Sequence, residues 1–125
     1  MGLRAAILII DDDPNLRATL TWILEHSGYQ VTPTASAQDG LQCLQGRHYA
    51  MAVLDVASLE QDGLRLIPEI HRLCPHIPVL ILATGVMSEM DREMLGASGS
   101  GYLIKPVEPE RILAHIHALC PTSCT

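Results

Sequence analysis

The chain is expected to fold as a doubly wound α/β domain, a parallel sheet with helices on both faces. Three observations lead there. Runs of consecutive apolar residues, AAILII at 5–10, MAVL at 51–54 and VLILA at 79–83, lack the alternation of a strand with one wet face and suit strands buried on both sides. Between the runs lie segments whose apolar residues recur at helical spacing, so strand and helix alternate five times in 125 residues, with no internal repeat and no low-complexity linker. The strands also end in residues that carry chemistry. Asp11, Asp12, Asp55, Thr84 and Lys105 all fall at carboxyl ends, where open sheets of this kind bind ligands.

The first strand runs straight into Asp11, Asp12 and Asp13. Three adjacent carboxylates repel one another, so crowding them at the mouth of a buried strand suggests a neutralising cation, and hard oxygen ligands favour magnesium or calcium. The alternative is a plain turn with an N-cap. Asp13 is read as that cap, because Pro14 follows at the first helical position. Leu16, Leu20, Ile23 and Leu24 then mark a helix, and Gly28 is suited to the left-handed stop. Tyr29–Thr34 is a strand with β-branched residues, and Pro33 places it at a sheet edge. Ser36 with Asp39 forms a capping-box pattern that opens a second helix, through Leu41 and Leu44 to about Gln45.

The next run, 50–54, ends in Asp55 and repeats the pattern of residues 5–11. After Gly63 a third helix carries Leu66, Ile67, Ile70 and Leu73, with Pro68 awkwardly inside it. Pro78 opens the strand that ends at Thr84 and Gly85. Helical spacing returns weakly over 88–95, with Met87, Met90, Met94 and Leu95 as soft apolar contacts. The run GASGSG at 96–101 precedes a strand and opens no helix, which excludes a dinucleotide glycine loop. Tyr102–Ile104 is a short last strand ended by Lys105 and Pro106. Pro109 starts the final helix, with Ile112, Leu113, Ile116 and Leu119 on one face.

Composition narrows the function. A hydrophobic content of 48% in 125 residues supports one domain, 1–125, with an ordinary core. A net charge of −6 argues against direct nucleic-acid binding, which needs clustered Lys and Arg. No apolar run has the roughly 20 residues of a membrane span and no signal peptide is evident, so a cytoplasmic chain is expected. The four cysteines, Cys43, Cys74, Cys120 and Cys124, are scattered and read as free thiols. The tail HIHALCPTSC has zinc-binding residue types, but His115 and His117 point to different helix faces. Among eight basic residues Lys105 is the one lysine. A compact ammonium beside a strand end suits contact with phosphate oxygens.

Asp11, Asp12 and Asp55 together are able to hold magnesium. An ammonium and a hydroxyl beside it would spread charge over a phosphoryl group, leaving Asp55 as a nucleophile that forms an acyl phosphate. The motifs IIDDDP at 9–14, VLDVASLEQDG at 53–63, LATG at 82–85 and YLIKP at 102–106 come in this order at strand ends. Over nearly its whole length the chain thereby resembles the response-regulator receiver domain of two-component signalling. The resemblance implies a flavodoxin-like fold with strand order 2-1-3-4-5. It implies that Asp11 and Asp12 hold Mg2+, with Asp12 preferred as the direct ligand, that Ala57 lends its carbonyl to the metal, and that Asp55 is phosphorylated. Thr84 and Lys105 match the family's phosphate-sensing hydroxyl and lysine, and Tyr102 matches its aromatic switch. The family's cis peptide bond is expected at Lys105–Pro106. Leu59 stands where the family usually has proline, and Val107 replaces a frequent aromatic.

The partners implied are a histidine kinase or phosphotransfer protein and a fused output domain outside this chain. A homodimer through the helix after Thr84 and the last helix stays open. The chain is expected to be a regulator and not an enzyme. Two other classes remain. An aspartyl-nucleophile phosphatase usually has a second Asp two residues after the nucleophile, where this chain has Ala57. An interaction module that needs no phosphorylation would not require the whole set of site residues. Ala57 and Val86 offer no polar group to orient an attacking water, so phospho-Asp55 is expected to hydrolyse slowly.

Overall fold

The computed structural model describes residues 5–56, 61–84 and 101–119, with only the backbone of residues 56, 61–65 and 84. Five strands are described: β1 (Ala6–Ile10), β2 (Gln30–Thr34), β3 (Met51–Val56), β4 (Val79–Thr84) and β5 (Gly101–Lys105). Four helices accompany them: α1 (Pro14–His26), α2 (Ala37–Gly46), α3 (Gln61–Leu73) and α4 (Pro109–Leu119). The expected helix over 88–95 lies outside the described residues. All strand pairs are parallel, in the order β2-β1-β3-β4-β5, and Pro33 sits on the edge strand as its missing donor requires.

The alternation of side chains along each strand sorts the core into two layers. Leu8, Ile10, Ala52, Leu54 and Ile81 pack with Leu44 of α2 and Leu66, Ile67 and Ile70 of α3. Ile7, Ile9, Met51, Val53, Leu82 and Leu103 pack on the other face, with Leu20 and Leu24 of α1 and Ile112 and Ile116 of α4. Continued outward, the second set reaches Asp11, Asp55 and Lys105. The period of two therefore brings all three to the same face.

Local chemistry fixes the element ends. The Asp13 side chain accepts the Asn15 N–H at 3.0 Å, and Pro14 opens α1. Gly28, with φ of 101°, takes the chain out of α1 in the left-handed region. The Ser36 hydroxyl accepts the Asp39 N–H and caps α2. One boundary and one burial differ from expectation. Helix α3 begins at Gln61, two residues before Gly63, because an isolated glycine is tolerated near a helix start. Leu119, expected on the apolar face of the last helix, is 41% exposed.

Candidate metal and phosphoryl site

At the carboxyl edge of the sheet β1 delivers Asp11 and Asp12, β3 delivers Asp55, and β5 delivers Lys105. The register explains the meeting. Asp55 lies beside Leu82, which lies beside Leu103, so Lys105 is two residues further out and reaches back with its flexible stem. Its Nζ donates to Asp55 Oδ2 at 2.6 Å, and the Asp55 side chain is only 2% exposed. The Lys105–Pro106 peptide bond is cis, as the resemblance implied.

Asp11 is buried and Asp12 is exposed. Carboxylate oxygens of Asp11, Asp12 and Asp55 all lie within 4.8 Å of one another. Among the described residues no group donates to two of the buried oxygens, Asp11 Oδ2 and Asp55 Oδ1. Two ionised carboxylates facing each other without a donor need a proton or a cation between them. Burial, with the facing Asp55 carboxylate behind it, pushes the Asp11 carboxyl up to about 7, against the pull of the Asp13 N–H and Lys105. A buried acidic pair with unsatisfied oxygens, backed by a solvent-facing Asp12, suits a hard divalent ion that keeps some of its waters. The residues present thus fit the metal that the sequence implied.

The remaining atoms of Asp11 are held. Its N–H donates to the Thr34 carbonyl at 3.0 Å, its Oδ1 accepts the Asp13 N–H at 2.8 Å, and its carbonyl accepts Arg17 Nη1 at 2.8 Å. Thr34 is buried and donates its own hydroxyl to Ile9 at 2.7 Å, tying the edge strand to β1 just below the site.

Asp11, Asp12, Asp55 and Lys105 are therefore brought together. Thr84 is placed by its backbone at the end of β4, in register with Lys105. Tyr102 is half-buried on the opposite face, against the α2/α3 layer. Ala57, Leu59 and Val86 lie outside the described residues, as do Cys120 and Cys124 of the tail. Sequence reasoning missed Arg17. A signal for it existed: a cation near the positive end of a helix is out of place unless it has a partner.

Residues 7–117 match the response regulator receiver domain family. Over 120 residues the chain is 33% identical to the transcriptional regulatory protein ZraR of Escherichia coli O157:H7, covering 90% of this chain and 27% of that relative. The chain thus spans about a quarter of ZraR's length. A CheY-like receiver domain protein of Methanospirillum hungatei JF-1 superposes with a TM-score of 0.83 at 28% identity, over 93% of both chains. A response regulator of Burkholderia pseudomallei, solved with a phosphorylated aspartic acid, a calcium ion and citrate, superposes with a TM-score of 0.75 at 29% identity, over 88% of this chain and 65% of that one.

Proposed function

This chain belongs to the response regulator receiver domain family, and on that premise we propose that Asp55 is its phosphoryl acceptor, with Mg2+ held by Asp11, Asp12, Asp55 and the Ala57 carbonyl. The observation that supports this reading best is the buried Asp55 carboxylate, paired with Lys105 at 2.6 Å and set against an Asp11 oxygen that lacks a donor among the described residues. An Asp55 oxygen attacks the phosphorus of a phosphohistidine. The new O–P bond forms as the N–P bond breaks, and the imidazole leaves with the bonding pair. A divalent ion held there would neutralise phosphoryl charge. Lys105 supplies a second positive charge, already aimed at the acceptor.

The donor is a histidine kinase or phosphotransfer protein, and Thr84 and Tyr102 carry the switch to an output domain or partner. The phosphorylated aspartic acid and calcium ion of the B. pseudomallei relative support the same chemistry. Among the described residues no helix is long and apolar enough to cross a membrane. Incubation with magnesium and a small acyl-phosphate donor, followed by intact mass measurement, is expected to add one phosphoryl group to the parent and none to Asp55→Asn. An equal gain in both would place the acceptor elsewhere.

A further inference from the structure

We infer that Arg17 is a positioning residue for the metal site, its guanidinium holding the turn that carries Asp11 and Asp12 so that the free Asp11 oxygen faces Asp55. This rests on the assignment of Asp11, Asp12 and Asp55 as magnesium ligands proposed above.

Asp11 is anchored at three atoms by three separate pieces of chain. Its N–H is held by Thr34 of β2, its Oδ1 by the turn N–H of Asp13, and its carbonyl by Arg17 of α1. What remains is Oδ2, buried and without a donor among the described residues. With the other atoms committed, the direction of that oxygen is set. Of the three anchors only Arg17 acts through a side chain. It occupies the fourth position of α1, and helical side chains lean toward the helix N-terminus, so a long arginine there lies back over the first turn to the chain entering it. The contact spans six residues and closes the turn containing Asp12 and Asp13.

Within its helix Arg17 opposes the macrodipole, and beyond the Asp13 cap, whose carboxylate accepts the Asn15 N–H, the first turn of α1 carries no acidic residue to offset it.

The test compares the parent chain with Arg17→Ala, Arg17→Lys and Thr19→Ala by calorimetric titration with magnesium chloride at pH 8. Thr19 is an exposed control on the same helix, bonded only to the Asn15 carbonyl in the contacts described. Arg17→Ala is expected to weaken magnesium binding by about tenfold, the usual cost of losing a hydrogen bond that orients a metal ligand. Arg17→Lys recovers part of the loss, because an ammonium still donates, and Thr19→Ala binds as the parent does. Melting curves taken without metal separate this effect from a loss of folding. Where Arg17→Ala fails to fold, Arg17→Gln, whose amide is too short to reach, takes its place. Affinity in Arg17→Ala within about twofold of the parent, whatever its melting temperature, overturns the inference alone. A parent that binds no magnesium overturns the ligand assignment and this inference together.

Discussion

At the scale of single residues, the buried Asp11 and Asp55 carboxylates confront each other, a repulsion that a cation would relieve. The Asp11 carboxyl rises from its usual 3.8 to about 7, mainly through burial and then through Asp55. Between those two values the folded chain keeps a proton that the unfolded chain has lost. Its contribution to stability is therefore complete below about 3.8 and disappears as the pH climbs through about 7. Without metal, the melting temperature of the parent should fall across that window more steeply than that of Asp11→Asn. At pH 8 Asp11→Asn should be the more stable of the two by roughly 1–3 kcal/mol, because an amide ends the carboxylate confrontation. Identical pH profiles for both chains would remove Asp11 as the source. Lys105 makes an opposing contribution. Its ammonium attracts the phosphoryl group but repels a magnesium ion sharing Asp55, so Lys105→Met should bind magnesium several-fold more tightly while taking up phosphate more slowly, a split that titration and mass measurements resolve.

The elements explain why these residues meet. Helix α2 lies so close to the end of β1 that a Cβ on Gly40 would overlap the Ile10 side chain, one residue before Asp11. Gly40→Ala should cost about 1–3 kcal/mol in a urea melt, the typical penalty of overpacking, and an unchanged midpoint would mean that α2 moves freely. The strands were legible because residues buried on both faces leave unbroken apolar runs, and the N-caps because Asp13 and Ser36 precede their helices at the expected offsets. Gly63 misled because one glycine reads as a break although the surrounding helix carries it. Arg17 stayed hidden for a different reason: a side chain that bonds a carbonyl six residues back leaves no mark in hydrophobic periodicity. Trp22 is a poor reporter of the site. It is 61% exposed, stacked on His26 at 3.9 Å, and eight residues beyond Pro14, about 12 Å along the helix axis.

For the molecule as a whole, a single five-stranded sheet with core packed on both faces presents one reactive edge. The face on which Asp11, Asp55 and Lys105 fall was readable from the odd-numbered alternation of their strands, and the receiver family followed from the order of the motifs. What those motifs could not convey was how completely Asp11 is tied down, since that depends on the edge strand and on α1 at once. The sequence also bears on the lifetime of the phosphorylated state. Alanine at 57 and valine at 86 carry no polar group that could orient water, so phospho-Asp55 should persist for minutes or longer after the donor is removed, and loss of the label within seconds would refute this. The claim that joins these scales is that Asp55 becomes a phosphoryl acceptor when a divalent ion neutralises the buried carboxylates around it. The most direct measurement is the intact mass of the parent chain after exposure to a small acyl phosphate, once with magnesium and once with a chelator. A single added phosphoryl group with magnesium and none with the chelator is the predicted result; equal uptake in the two samples, or none in either, would contradict it.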